Sequence, residues 1–223
     1  SDEEITLNAV EAFPGMTWED FEGVDEDGKI QDMRPVELIH PGDGTNRLFA
    51  LDQRGRIYSI DATGKQKVAK VILDFQDRCQ RHDAAGNVNE EGALGMAIHP
   101  DFKKNGHVFV YYSSNKSNLK DGRVSYLSRF TMDVKTGVGK ASSEAVIMTI
   151  PQPFSNHNGG PMTFGNDGLL YIGMGDGGGR NDPTGEGQDL SSWMGSILRI
   201  DVDKPTAARR YSIPADNPFV DVK

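Results

Sequence analysis

A strand–turn–strand plan that recurs about every 70 residues is the feature that most constrains the fold of this chain. Each copy has an apolar pair, a turn, a short run rich in Val, Ile, Tyr and Phe, a loop, and a second such run that ends in an acid. The three copies lie at residues 35–61, 92–133 and 157–203. Their closing acids, Asp61, Asp133 and Asp203, are 72 and 70 residues apart. Such equal spacing indicates repeated modules of one architecture.

The local chemistry of these modules predicts antiparallel sheets. The turns at 53–55 (Gln-Arg-Gly) and 166–168 (Asn-Asp-Gly) contain residues that tolerate positive φ, as tight hairpins require. No long window has helical periodicity, and the best helical segment is a short one near 189–194. Repeated antiparallel units favour an all-β fold, a β-propeller in which each blade is a short twisted sheet. A β-sandwich is the alternative, but it predicts strands every 8–12 residues without a longer repeat.

The length of the chain limits how much of a propeller it can form. A propeller closes with about four to eight blades, and 223 residues hold about three units of this size. We therefore expect the remaining blades in a longer or a separate chain, because three blades alone would expose unpaired strand edges. Residues 1–34 are predicted to be an acidic arm with a first strand region, and residues 35–223 a partial propeller.

Composition excludes several functional classes. A formal net charge of −9 and a pI of about 5.0 argue against a nucleic-acid surface. No segment approaches the roughly 18 consecutive apolar residues of a membrane helix, so no membrane span is expected. Cys79 is the single cysteine, which leaves no partner for an intrachain disulfide. The acids at 1–4 and 18–27 are interpreted as a solvated face or arm.

The candidate functional residues lie in two glycine-rich loops. His157 stands in the run Asn156–Gly160, and Asp176 stands in Gly175–Gly178. Loops of this kind on a rigid sheet often carry function, although an isolated histidine there is commonly an ordinary loop residue. His40 and His99 each precede a proline and are predicted to hydrogen-bond within their own turns. His82 and His107 carry no motif.

The acids of the second loop allow two interpretations. Asp176 and Asp182 are candidate calcium ligands, because hard oxygen donors in a flexible loop suit this ion. The spacing does not match an EF-hand, and the alternative is that these acids cap turns and a short helix. The loop lacks the Lys-Ser/Thr ending and the βαβ context of a phosphate loop. Trp18 and Trp193 are expected to be packing anchors or to stack on sugars.

Several ordered motifs resemble one family. These are EGALGMAIHPDF at 91–102, HNGG at 157–160 with FGNDGLLY at 164–171, GDGG at 175–178, and IPADNPF at 213–219. They are similar to the motifs of the soluble glucose/sorbosone dehydrogenases, also called aldose sugar dehydrogenases. The resemblance extends from about Pro35 to Phe219.

The resemblance implies a six-bladed β-propeller of about twice this length. It implies pyrroloquinoline quinone (PQQ) and Ca²⁺ at the propeller axis, oxidation of an aldose at its anomeric carbon to a lactone, and an external electron acceptor such as a cytochrome. It also implies a periplasmic or secreted location. His157 matches the family's catalytic base, and Glu90 is the nearest match to a residue beside the cofactor. The family's basic cofactor clamp would lie beyond Lys223, and Asn156 stands where some members have Asp.

The chemistry of aldose oxidation fits a histidine. The C1 hydroxyl must lose its proton as a hydride leaves, and a neutral imidazole with a pKa near 6.5 can accept that proton. Flanking glycines would let sugar and quinone approach the backbone closely. Two alternatives remain: a non-catalytic propeller that binds a protein or glycan, as in relatives of hedgehog-interacting proteins, and a fragment that is inactive by itself.

Overall fold

The computed structural model describes residues 8–21, 33–79, 90–114 and 123–220. The predictions on His82 and on the acids at 1–4 and 22–27 lie outside these ranges. In the described parts of the chain, no helix is long and apolar enough to cross a membrane.

Three β-sheets follow one another along the described parts of the chain. The first contains β1 (Thr17–Trp18), β2 (Pro35–Ile39), β3 (Arg47–Asp52), β4 (Arg56–Asp61) and β5 (Val68–Asp74). The second contains β6 (Ala93–Ile98), β7 (His107–Ser114), β8 (Val124–Thr131) and β9 (Ala145–Pro151). The third contains β10 (Met162–Phe164), β11 (Leu170–Gly173) and β12 (Ile197–Ile200). A short α-helix, α1 (Phe102–Asn105), precedes β7, and 3-10 turns lie at Ala141–Ser143 and Glu186–Gln188.

Within each sheet, strands that follow one another in the chain pair in an antiparallel way. The orders are β1-β5-β4-β3-β2, β6-β7-β8-β9 and β10-β11-β12. The exception is β1, which pairs in parallel with β5 at Thr17↔Val68. Gly55 and Gly168 adopt φ of 101° and 78° in the hairpins that the sequence predicted. These meanders are formed by local pairing, as the repeated strand–turn–strand plan indicates.

One edge strand from each sheet, β2, β6 and β10, lies next to the corresponding strand of the neighbouring sheet. Strand β6 contacts both β2 and β10. Gly95 of β6 packs directly on the backbone of Gly160, so that a Cβ at position 95 would overlap the Gly160 carbonyl oxygen. Sheets that meet through one inner strand each, with their other strands farther from the meeting point, are blades of a β-propeller. The prediction of an all-β chain that covers about three blades is confirmed, while the division at residue 34 stays a prediction.

Apolar side chains fill the spaces between the sheets. One cluster joins the first two sheets around Phe49, Phe75 and Phe130, and it includes Phe102 of α1. A second cluster joins the second and third sheets around Tyr111, Leu127, Leu170 and Ile172. Burial of a large apolar side chain contributes about 1.5–3 kcal/mol. This packing holds neighbouring blades, and therefore their connecting loops, in fixed relative positions.

Antiparallel order places alternate connections at opposite ends of the sheets. The connections after β3, β5, β7, β9 and β11 leave at one end, which we call the upper face. The connections after β2, β4, β6, β8 and β10 form the lower face. His40 and His99 lie on the lower face, where the Nδ1 atoms accept hydrogen bonds from Gly42 N and Asp101 N, each at 3.0 Å. Their predicted role within turns is confirmed.

The third closing acid differs from the predicted one. Asp61 and Asp133 accept backbone hydrogen bonds from the turns that follow them, at Thr63 N and Lys135 N. In the third sheet Asp201 has this role, accepting from Asp203 N at 3.0 Å. Asp203 instead bonds His99 Nε2 at 3.1 Å. The sequence pattern predicted the wrong acid because two aspartates stand two residues apart. Only the hydrogen bonds of the folded backbone show which aspartate closes the turn.

Candidate functional site

The β9–β10 connection presents His157 on the upper face in a left-handed backbone conformation. Its φ is 53°, a left-handed value that is uncommon for a residue other than glycine, although Asn, Asp and His adopt it more often than the rest. The backbone N–H of His157 donates to Glu90 Oε2 at 2.5 Å. Glu90 belongs to the β5–β6 connection, so a neighbouring blade holds the histidine backbone in place.

The imidazole of His157 is oriented by a second acid. Its Nδ1 lies 2.8 Å from Asp176 Oδ1, in the β11–β12 connection. The histidine side chain is 43 % exposed, and no described residue hydrogen-bonds its Nε2. Because an ionised carboxylate only accepts, this contact places the ring proton on Nδ1 and leaves the Nε2 lone pair available. The arrangement can accept a proton from a bound ligand.

Asp176 is itself held in its ionised form. Gly178 N–H donates to Asp176 Oδ1 at 3.0 Å. That backbone hydrogen bond, followed by the hydrogen bond from His157, lowers the pKa of the Asp176 carboxyl. Because both interactions favour the charged form, Asp176 remains an acceptor for the imidazole at neutral pH.

The glycines of the two loops lie where neighbouring residues of the protein pack too closely for a Cβ atom. A Cβ at Gly159 would lie 2.6 Å from Gly173 O, and one at Gly160 would lie 2.5 Å from Leu94 Cβ. A Cβ at Gly175 would overlap the carbonyl oxygen of His157. The flanking glycines, predicted to let ligands approach the backbone, bring the two loops into contact with each other. This contact is what allows Asp176 to reach His157.

A buried polar network fixes the residue next to the histidine. Asn158 is 2 % exposed, and its side-chain N–H₂ donates to Gln152 Oε1 at 3.1 Å. The Tyr111 hydroxyl donates to Asn158 O at 2.9 Å and accepts from Gln152 Nε2 at 3.2 Å. Gln152 Nε2 also donates to Ser125 Oγ at 3.0 Å. Burial raises the pKa of Tyr111 to about 12, so it stays a neutral donor.

The sequence contained only part of the signal for this network. Asn158 belongs to the HNGG motif, but Gln152 and Tyr111 belong to no motif. Their partners become adjacent only when β7 and the β9–β10 connection pack together.

Three of the four predicted site residues therefore come together: Glu90, His157 and Asp176. Asp182 does not join them. Its Oδ1 accepts from Glu186 N at 3.0 Å and its Oδ2 from Gly187 N at 2.9 Å, which is the turn-capping alternative. In the described ranges, no group of three or more His, Cys, Asp or Glu side chains is placed to hold a metal ion. The calcium role of Asp176 and Asp182 stays a prediction.

The two tryptophans have different surroundings. Trp18 packs edge-on against Tyr58, with ring centroids 5.0 Å apart, and serves as a packing anchor. Trp193, in the β11–β12 connection, is 45 % exposed on the upper face.

With the fold and this geometry established, comparison with known proteins identifies the family. The sequence profile of the family described as "Glucose / Sorbosone dehydrogenase" matches residues 33–223. The chain belongs to this family.

Individual relatives differ in what their names describe. The chain is 33 % identical over 196 residues to mouse Hedgehog-interacting protein, covering 83 % of this chain and 27 % of that protein. It is 28 % identical over 155 residues to quinoprotein glucose dehydrogenase B of Acinetobacter calcoaceticus, covering 61 % of this chain and 30 % of that protein. The solved PQQ-bound aldose sugar dehydrogenase of Streptomyces coelicolor is similar with a TM-score of 0.60 and 25 % identity, covering 85 % of this chain and 49 % of that one. The chain thus spans half or less of the length of these relatives.

Proposed function

We propose that this protein takes part in the PQQ-dependent oxidation of an aldose at C1 to a lactone, with His157 as the general base. The observation that carries the proposal is the 2.8 Å contact between His157 Nδ1 and Asp176 Oδ1. It leaves Nε2 of a half-exposed imidazole on the upper face without a hydrogen-bond partner among the described residues. Family membership and similarity to a PQQ-bound relative support the choice of chemistry.

The described residues fit the proton-accepting half of such a site. His157 and Asp176 form a suitable base and its orienting acid. PQQ carries carboxylate groups, which require cationic partners. Among the described residues, no lysine or arginine side chain forms an ion pair or hydrogen bond with Glu90, His157 or Asp176. We therefore assign the base to this chain and leave the anion-binding half unassigned, including the proposed cofactor contact of Glu90.

The reaction divides between the protein and its acceptor. The C1 hydroxyl of the aldose donates its proton to His157 Nε2, and the resulting imidazolium is stabilised by Asp176. When bound, PQQ supplies the two-electron acceptor for the hydride that leaves C1. The φ of 53° at His157 is maintained by Glu90 and by the Asn158 network, so the base keeps its position while it gains charge. The electrons would pass on to an external acceptor such as a cytochrome.

Reconstitution tests this proposal. The full-length protein is incubated with PQQ and Ca²⁺, and dye reduction is measured with a panel of aldoses. His157→Ala should lower turnover by about 10²–10⁴-fold, the usual contribution of a positioned general base. His40→Ala is the matched control, since His40 lies on the lower face and bonds only its own turn. Turnover by His157→Ala close to that of the unsubstituted protein would reject the role.

A second function is favoured by the similarity to Hedgehog-interacting protein, which extends over 83 % of this chain. In that case the same face would bind a protein or glycan without chemistry. Absence of both a PQQ absorption change and turnover, under conditions where a quinoprotein relative is active, would favour this alternative. Under either function we propose that the protein is exported.

A further inference from the structure

Arg123 lies at the end of the β7–β8 connection and contacts both segments that hold His157. The first segment contains Glu90, which accepts the backbone N–H of His157 at 2.5 Å. The second contains Gln152, whose Oε1 accepts from the side chain of Asn158 at 3.1 Å. Among the described residues, no hydrogen bond joins Arg123 to His157 itself. Arg123 can therefore act on the imidazole only through these two segments.

The side chain of Arg123 holds the first segment. Its Nε donates to Glu91 Oε1 at 3.1 Å, and the Glu91 side chain is only 4 % exposed. The other carboxylate oxygen, Glu91 Oε2, is buried and has no hydrogen-bond partner among the described residues. Within the described parts of the chain, Arg123 is thus the single donor to a buried carboxylate that directly follows Glu90 in the sequence.

The charge of Arg123 keeps this buried carboxylate compensated. Burial raises the pKa of Glu91, while the charge of Arg123 and its hydrogen bond lower it. A buried carboxylate that loses its cationic partner either takes up a proton or remains as an uncompensated charge, which is strongly destabilising. Either outcome removes the constraint that Arg123 places on the residue next to Glu90.

The backbone that follows Glu91 is held by a different residue. Gln53 Nε2 donates to Glu91 O at 2.9 Å, and Gln53 O accepts from Ala93 N at 2.7 Å. These bonds do not involve Arg123, so β6 should keep its place when Arg123 is replaced. The effect of the replacement is therefore expected at the Glu91 side chain and at Glu90, rather than in the sheet.

The main chain of Arg123 holds the second segment. Its carbonyl oxygen accepts from Gln152 N at 3.3 Å. Gln152 in turn bonds the Asn158 side chain and the Tyr111 hydroxyl, which belong to the buried network behind His157. One residue thus contacts both supports of the histidine, the first with its side chain and the second with its carbonyl group.

We propose that Arg123 is a positioning residue for His157. Through its side chain and its main chain, it keeps the two segments that hold the His157 backbone in one arrangement. In that arrangement the imidazole Nδ1 contacts Asp176. As a statement about catalysis, this rests on the proposed function. As a statement about the position of the imidazole, it requires no chemistry.

The position of the imidazole is tested by NMR on the full-length protein with ¹⁵N-labelled histidine. The His157 signals are assigned by their loss in His157→Ala. At about pH 8, where an imidazole with a pKa near 6.5 is neutral, the contact with Asp176 should place the ring proton on Nδ1. In Arg123→Met the Nδ1–H form should lose population to the Nε2–H form, because the ring no longer meets Asp176 in a fixed position. Arg123→Lys should recover most of the Nδ1–H form, since an ammonium can replace a single Nε bond, although it cannot replace a bidentate pair.

Arg56→Met is the matched control for this experiment. Arg56 Nε donates to Asp74 Oδ2 at 2.8 Å, which is an ion pair of the same kind within the first sheet. Its loss should leave the His157 signals unchanged. If Arg123→Met does not fold, the double variant Arg123→Met/Glu91→Gln removes the uncompensated buried charge and still lacks the hydrogen bond. The double variant should show the same change of tautomer, and His157 signals like those of the unsubstituted protein would overturn the proposal.

Kinetics separates the failure of this proposal from the failure of the proposed function. In the PQQ-loaded protein, Arg123→Met should lower kcat by about tenfold or more and change KM by less than about threefold, because a misplaced base impairs the reaction without removing contacts to the substrate. The expected NMR change, without turnover of any aldose by the unsubstituted protein, would reject the dehydrogenase and keep the positioning role. Equal kcat values for Arg123→Met and Arg56→Met in an active enzyme would overturn the positioning role alone.

Discussion

The Asp176 carboxylate lies 2.8 Å from the imidazole Nδ1 of His157, although His157 lies in the connection between the second and third blades and Asp176 in the β11–β12 connection of the third. The contact forms because Gly175 and Gly159 allow these connections to pack backbone against backbone. The contact orients the partly exposed imidazole and places its ring proton on Nδ1. The following predictions test this arrangement and the structure that supports it.

Replacement of the orienting acid should impair the base. Asp176→Asn removes the charge that stabilises the imidazolium, and the amide no longer selects the Nδ1–H form. We expect kcat for aldose oxidation to fall by at least about tenfold. The measurement is kcat at saturating aldose, on the full-length protein loaded with PQQ.

The matched control for this change is Asp133→Asn. Asp133 is also an aspartate that accepts backbone hydrogen bonds, but it is exposed and lies in the turn after β8 on the lower face. Equal losses of kcat in the two variants would show that Asp176 acts only through stability.

The close approach of the two loops should not tolerate a methyl group. In Gly175→Ala the new Cβ would overlap the His157 carbonyl oxygen. We expect a loss of about 1–3 kcal/mol in the free energy of unfolding, measured by urea denaturation. Gly173→Ala is the control, because its Cβ would meet its nearest neighbour, Pro161 Cγ, at an ordinary 3.4 Å. Similar stabilities of the two variants would contradict the packing described above.

The buried network behind His157 should contribute to stability through the Tyr111 hydroxyl. Tyr111→Phe leaves Asn158 O without its donor and Gln152 Nε2 without one of its acceptors. The expected cost is about 1–2 kcal/mol in chemical unfolding. Tyr126→Phe provides the comparison, because the Tyr126 ring packs on Tyr112 and no described residue bonds its hydroxyl. A Tyr111→Phe protein as stable as Tyr126→Phe would show that the network contributes nothing.

His107 should make stability depend on pH. Burial, followed by the nearby positive charges of Arg129 and His99, lowers the pKa of His107 to about 4, while Asp203 acts in the opposite direction. The unfolded chain, with an ordinary value near 6.5, binds the proton more readily between these limits. The contribution of His107 to stability is therefore complete above about pH 6.5 and is lost as pH falls toward 4.

The variant His107→Phe removes the titrating group and keeps a ring in the strand. Its free energy of unfolding, measured in urea between pH 7 and pH 4.5, should fall less steeply with acid than that of the unsubstituted protein. The difference in slope should correspond to the uptake of less than one proton on unfolding. Parallel pH profiles would mean that His107 is protonated equally in the folded and unfolded states.

The sequence predicted the candidate site in part. His157 was found because its glycine-rich motif is contiguous, and Glu90 because it adjoins a motif at the start of β6. Asp176 was predicted as a calcium ligand, which stays a prediction, and its contact with His157 was not predicted. Gln152 and Tyr111 were missed because their partners lie on other strands of the second blade and in the β9–β10 connection, and no local pattern marks them.

The sequence by itself determined the strands, the hairpins and their repetition, because alternating apolar residues and positive-φ turns act over a few neighbouring residues. The tertiary structure decided which side chains meet. It selected Asp201 over Asp203 as the closing acid, brought Glu90 and Asp176 to His157, and left Trp193 exposed on the upper face. These contacts depend on how blades pack through Gly95, Gly160 and Gly175, and that packing is a property of the assembled sheets that no single segment encodes.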